Sequence, residues 1–69
     1  MKPIVNKVRC KKCNDIIESK HRYDMVWCKC GSIYIDGGNE YQRYGWPGGE
    51  VNDWVDFSYS KYRDEIFKK

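Results

Sequence analysis

Cys10, Cys13, Cys28 and Cys30 are all the thiols in the chain, and their spacing poses the first chemical question. Two residues separate the first pair, one separates the second, and fourteen, Asn14 to Trp27, lie between the pairs. Zinc ribbons place roughly 15–20 residues between two such pairs. Four thiolates at about 2.3 Å satisfy the tetrahedral preference of zinc. The residue after the second cysteine of a knuckle is often left-handed, and Gly31 and Asn14 occupy those places. The Cys28-Lys29-Cys30 pair, with its single intervening residue, makes a tighter knuckle than the common two-residue spacing. A rubredoxin-like iron site needs the same ligands. A thioredoxin-like redox pair needs a βαβ context that the pattern lacks, and disulfides need an oxidising compartment. His21, the one histidine, could replace a cysteine, but a lone strand-end histidine is more often solvated. The expectation is one structural Zn2+ per chain on Cys10, Cys13, Cys28 and Cys30. Four protein ligands leave no open coordination position, so such a metal folds the chain and does not catalyse.

Short strands must position these knuckles. Residues 1–9 read as an arm or a first strand. In "HRYDMVWC", Tyr23, Met25 and Trp27 alternate with Arg22, Asp24 and Val26, which is the period of a strand. "SIYID" reads as the next strand, with "CKCG" as the turn between them. "DGGNE" is a turn in which Gly37 and Gly38 are free to take positive φ. "YQRYGW" reads as a third strand, "PGGEVN" breaks the chain, and "WVDFSY" reads as a fourth strand or a structured loop. The tail "SKYRDEIFKK" has helical features. Ser60 can cap it, Tyr62 and Ile66 are four apart, and Asp64 with Lys68 and Glu65 with Lys69 are acid-first i, i+4 pairs.

Composition explains why a metal would matter. The chain has 69 residues and no Leu, Ala or Thr. A domain of this size buries only about 60% of its unfolded surface and usually needs a staple. Its apolar residues are mainly Ile, Val and eleven aromatics, which suit strands. Trp27, Phe57, Tyr62 and Ile66 are the expected core. No stretch has the apolar length of a secretory signal or of a membrane span. A cytoplasmic protein with reduced thiols is therefore expected.

No catalytic constellation stands out. There is no second histidine, no Ser-His-Asp or Cys-His arrangement and no phosphate loop, so the chain reads as non-enzymatic. Its formal net charge is +3, and a four-thiolate zinc site of about −2 brings it close to neutral. The distribution is lopsided. Lys2, Lys7, Arg9, Lys11 and Lys12 precede any acid, whereas Glu50, Asp53 and Asp56 share a stretch without a base. Eight of the eleven aromatics lie between residues 41 and 67. Tyr41, Arg43, Tyr44, Trp46, Glu50, Asp53, Trp54 and Asp56 form the candidate partner-binding set, because Tyr, Trp and Arg dominate interface hot spots. Acidic residues among them suit a basic protein surface. The basic N-terminal arm instead suits nucleic acid, which makes a zinc ribbon acting in transcription or translation the alternative.

The run "CKKCNDIIESKHRYDMVWCKCGSIYIDGGNEYQRYG" resembles a family of small, uncharacterised zinc-ribbon proteins of Gram-positive bacteria and their phages. The resemblance rests on Cys-x-x-Cys, "IIES", Cys-x-Cys-Gly, "DGG" and the Tyr-x-Arg of Tyr41 and Arg43. It implies a metal and no activity. In size, cysteine pattern and aromatic/acidic tail the chain also resembles, more distantly, the metal-containing anti-CRISPR proteins that inhibit type II-A Cas9. That likeness implies a phage-encoded inhibitor acting by protein contact in a bacterial host cell.

The expected architecture is a single zinc-ribbon-like α+β domain spanning 1–69. Zinc knuckles lie at 10–31, strands with aromatic and acidic loops at 32–58, and a C-terminal helix at 59–69. An antiparallel sheet of three to four strands carries the four-cysteine zinc site.

Overall fold

The computed structural model describes residues 2–62. Eight short strands form three small antiparallel sheets. They are β1 (Pro3–Val5), β2 (Lys7–Cys10), β3 (Ile16–Glu18), β4 (Val26–Trp27), β5 (Tyr34–Asp36), β6 (Arg43–Gly45), β7 (Val55–Asp56) and β8 (Lys61–Tyr62). The sheet orders are β1-β8, β3-β2-β7 and β4-β5-β6. The single sheet of three to four strands expected from the sequence is thus divided, while the antiparallel pairing holds.

The core follows from strand alternation. In β2, Val8 and Cys10 point inward while Lys7 and Arg9 lie nearer the surface. Val8 faces Ile17 across the β2–β3 ladder, and Cys10 faces Val55 across the β2–β7 ladder. Cys28, Ile33 and Ile35 complete the buried cluster. Small β-branched residues and two of the cysteines therefore fill the interior. The expected core differs. Trp27 is 52% exposed, and Phe57 packs only against the cluster's edge. Tyr62 is half-buried, and Ile66 lies outside the described residues.

Three further expectations are corrected. The alternation of residues 22–27 does not make one strand. A turn closed by Asp24 N–H donating to the His21 carbonyl occupies its first half, and Tyr23 there is left-handed at φ 67°. β4 begins only at Val26, and Val26, not Trp27, packs against the core. The fourth strand ends after two residues, because the Asp56 carboxylate accepts from Ser58 N–H and starts a 3₁₀ turn at Phe57–Tyr59. The helix expected over 59–69 does not start at Ser60. The Ser60 hydroxyl is drawn to the Lys7 carbonyl at 2.6 Å, and Lys61–Tyr62 pair as β8 with β1. The rest of that expected helix, 63–69, lies outside the described residues. β3 is an element the sequence reading missed; Ile16-Ile17-Glu18 carried its signal between Asn14-Asp15 and Ser19.

A buried polar network locks the sheets together. Asn6, in the link between β1 and β2, is 1% exposed. It donates to the carbonyls of Asp36 at 3.1 Å and Tyr41 at 3.4 Å, and it accepts from Gln42 at 2.9 Å. Gln42 also donates to Ser60 Oγ at 2.9 Å and accepts from the Tyr62 hydroxyl. Every buried side-chain polar atom among the described residues has a partner, as buried polar groups require. Among the described residues, no helix is long and apolar enough to cross a membrane.

Candidate metal centre

The two knuckles are built by backbone hydrogen bonds. In the first, Asn14 N–H donates to the Cys10 carbonyl at 2.7 Å and Cys10 N–H donates to Asp15 at 2.9 Å. In the second, Gly31 N–H donates to the Cys28 carbonyl at 2.9 Å and Cys28 N–H donates to Ile33 at 3.1 Å. Each turn reverses through a left-handed residue, Asn14 at φ 66° and Gly31 at φ 77°. The positions expected to need that conformation have it. Side chains then tie the knuckles down. Arg9 donates to Asn14 Oδ1 at 2.6 Å and to Asp56 Oδ2 at 3.2 Å, and Asp15 Oδ2 accepts from Lys29 N–H at 2.8 Å. The last bond links the first knuckle to the second.

This scaffold brings the sulfurs of Cys10, Cys13, Cys28 and Cys30 within 4.8 Å of one another. Cys10 and Cys30 are 3.8 Å apart, and Cys28 and Cys30 are 3.6 Å apart. A tetrahedron with metal–sulfur bonds of about 2.3 Å has sulfur–sulfur edges of about 3.8 Å. The group therefore fits a metal ion held by four thiolates, and the tight Cys-x-Cys spacing does not spoil it. No disulfide joins the four. His21 is not in the ligand group.

The electrostatics favour a thiolate at Cys28. Burial pushes the Cys28 thiol up. Hydrogen bonding from the Ile33 backbone, and then from Cys30, Cys10 and Ser32, outweighs burial and brings it down to about 6. Ser32 was not singled out in the sequence. Its Oγ lies 2.9 Å from Cys30 Sγ, 3.6 Å from Cys10 Sγ and 3.9 Å from Cys28 Sγ, over one face of the sulfur group. A serine two residues after a knuckle cysteine is the signal that could have found it. With a metal bound, the sulfurs would accept and not donate, and the Ser32 hydroxyl would then be the hydrogen-bond donor, nearest to Cys30 Sγ.

Residues of the expected partner-binding set make contacts within the chain, and Arg43, Tyr44, Trp46, Glu50 and Asp53 among them are exposed. Arg43 pairs with Asp36 at 2.6 Å, and Asp56 pairs with Arg9. Trp54 lies under the Lys12 ammonium at 4.7 Å from its ring centroid. Tyr44 packs edge-on against Phe57 and stacks on Trp46. Tyr41 is half-buried beside Asn6, whereas Glu50 and Asp53 stay exposed around a 3₁₀ turn. An aromatic surface that includes Trp46 of that set stands open beside the metal knuckle. Across the β4-β5-β6 sheet, Trp27, Tyr34 and Gly45 lie in register. The rings of Trp27 and Tyr34 sit 4.9 Å apart. A Cβ at Gly45 would lie 2.2 Å from the Tyr34 ring, so only glycine lets Tyr34 lean across the sheet. Trp46 and Pro47 close the far side of a cleft of about 450 Å³, and Gly31 and Ser32 join it to the metal knuckle.

The family described as Domain of unknown function (DUF7695) matches residues 2–46. The chain belongs to this family. The DUF7695 match covers all four cysteines, β1 to β6, and the Trp27, Tyr34, Gly45 and Trp46 positions of the cleft. No curated protein and no solved structure matched the chain. DUF7695 membership gives the chain relatives without giving it an activity.

Proposed function

We propose that the protein is a non-enzymatic, zinc-stabilised binding domain that works by occupying a partner protein. The carrying observation is the division of labour between two neighbouring features. A metal held by all four cysteines would have no ligand position left for substrate, and beside the group an aromatic sheet face stays open, with Trp27 52% and Trp46 36% exposed. Zinc is the metal this reading assigns, since four cysteines in a closed tetrahedron form a common structural zinc set. Reduced thiols fit a cytoplasmic setting. The nucleic-acid alternative comes second, since several cations of the basic arm make contacts within the chain, although Lys2, Lys11 and Lys12 stay exposed. Lys2 pairs with Glu40, Arg9 with Asp56, Lys11 with the Asn52 carbonyl and Lys12 with Trp54.

The test is binding of the zinc-loaded protein to defined partners, with Trp27→Glu as the surface variant. The resemblance to anti-CRISPR proteins supplies the first partner, a type II-A Cas9, read out by DNA cleavage. Inhibition that Trp27→Glu relieves supports the reading. Steeply salt-dependent binding to single-stranded DNA, with no protein bound, would sink it.

A further inference from the structure

We infer that the cleft beside the metal knuckle takes an aromatic side chain from an acidic segment of the partner protein, with a neighbouring carboxylate set on Lys29. This inference rests on the protein-contact reading and gives that partner its chemistry. Three observations carry it.

The first is the charge around the opening. No acidic residue lines the cleft. Lys29 lies in the turn between Trp27 and Gly31, two of the lining residues, and is exposed. Its ammonium has no ion pair among the described residues. The same stretch carries this sign further. From residue 20 to residue 31 the exposed charged side chains are Lys20, Arg22 and Lys29, all basic. The one acid there, Asp24, is half-buried, with its carboxylate accepting from Lys20 N–H at 2.9 Å. The second is unspent hydrogen-bonding capacity. An indole N–H can only donate. That of Trp46 goes to the Gly49 carbonyl at 2.9 Å, whereas that of Trp27 has no partner among the described residues. A free donor and a free cation at one opening both ask for an oxygen acceptor. The third is the apolar ground. Val26 packs against the core, and its two chain neighbours, Met25 and Trp27, stay 45% and 52% exposed. Beyond them Tyr34 and Trp46 wall a space of about 450 Å³, where rings can meet another ring edge-on or offset.

An aromatic residue beside a carboxylate meets all three demands. The ring fills the walls, and the carboxylate oxygens accept from Lys29 and from the Trp27 N–H. A cationic side chain would find no acid in the lining. An uncharged apolar segment fills the space but leaves the ammonium without a counter-charge. Single-stranded nucleic acid also joins rings to negative charge, but it needs cations that track successive phosphates. Here the exposed cations stand toward the two ends of the stretch, with Asp24 and the ringless Met25 between them.

The experiment uses the full zinc-loaded chain and a blocked hexapeptide, Gly-Asp-Phe-Glu-Asp-Gly, followed by NMR through the indole N–H signals. One matched peptide carries the amides Asn and Gln in place of the acids, and another carries alanine in place of phenylalanine. Loss of the acids should weaken binding about threefold or more, and loss of the ring about fivefold or more. Lys29→Gln should weaken the acidic peptide about threefold, whereas Lys61→Gln, which removes an equal charge from β8 in another sheet, should leave it nearly unchanged. Trp27→Ala should cost about fivefold with the zinc content unchanged. Equal affinity for the acidic and amide peptides, equal losses in Lys29→Gln and Lys61→Gln, or tighter binding of an oligothymidylate eight nucleotides long would each overturn the assignment. Inhibition of a type II-A Cas9 that Trp27→Glu relieves, with no shift of the indole signals by the acidic peptide, would keep the protein-contact reading and dismiss this occupant.

Discussion

Asn6→Ala is the substitution that tests the architecture most sharply. The side chain is 1% exposed and holds the β1–β2 link to the turn after β5 and to the start of β6. Its main-chain carbonyl, which accepts from Ser19 N–H at 2.9 Å, is untouched by the change. What goes is the carboxamide. Two well-formed bonds, to the Asp36 carbonyl and from Gln42, are worth about 1 kcal/mol each, and the longer one to Tyr41 less. Carbonyls left without their donor in the interior add about 1 kcal/mol more. The expected cost is about 3 kcal/mol. A domain of 69 residues has about 3–10 kcal/mol in total, so the variant should be close to unfolding at body temperature. Asn39→Ala is the control. Asn39 also donates to two carbonyls, those of Pro3 and Ile4, but it is solvent-exposed, and water replaces it. Its cost should stay below about 1 kcal/mol. Urea denaturation with zinc fixed in excess reads both, because bound metal shifts apparent stability. Equal costs for the two variants, or less than about 0.5 kcal/mol for Asn6→Ala, would refute the argument that burial makes this network matter.

Other consequences are open to measurement. Metal analysis should find one zinc per chain, and a strong chelator should abolish the cooperative unfolding transition; a Cys28→Ser protein that stays folded without metal would exclude a structural role. Acid should release the metal in a definite window. The Cys28 thiol is depressed to about 6 from an ordinary 9. Its contribution is therefore complete above the ordinary value and is lost as pH falls through about 6. Zinc competes with those protons and moves the release midpoint lower still, so loss of zinc above pH 7 would contradict the geometry. Gly38→Ala should cost at least about 2 kcal/mol, since φ is +54° and the new Cβ would lie 2.5 Å from the His21 backbone. Gly31→Ala has the same backbone strain at φ +77° with nothing within 4 Å, and should cost about 1 kcal/mol, read by thermal melts of the zinc-loaded proteins.

The part of this molecule legible in its sequence is the part decided by neighbours in the chain. Knuckle chemistry is local: Asn14 and Gly31 take positive φ because the turn beside each cysteine pair requires it. The Asp36-Gly37-Gly38 turn and the strands on either side of it were visible for the same reason. What stayed hidden depends on distant partners. Asn6 finds its hydrogen bonds 30 to 36 residues away, and nothing around it in sequence marks it as buried. Alternation places Val26 and Trp27 on opposite faces, yet it does not say which face is inside. In the structure Val26 packs against the core and Trp27 is 52% exposed. The Ser60 hydroxyl, a good helix cap on local grounds, is claimed instead by Lys7, 53 residues away. The cleft combines an in-register row across three strands with a serine from the knuckle, and no single stretch contains it.

The β2–β7 ladder has a consequence for how the family match relates to the folding unit. The matched region stops at residue 46, but β7 and β8 come later and cover the flanks of β2 and β1. Val55 belongs to the same interior as Val8 and Cys10. The stretch the family match covers and the stretch that folds do not coincide. A fragment of residues 2–46 would retain every thiol and still bare the N–H and C=O groups of β2 that now face β7. An uncovered strand edge is a template for a foreign strand. Such a fragment should capture a second copy of itself, which its elution volume on size exclusion would show.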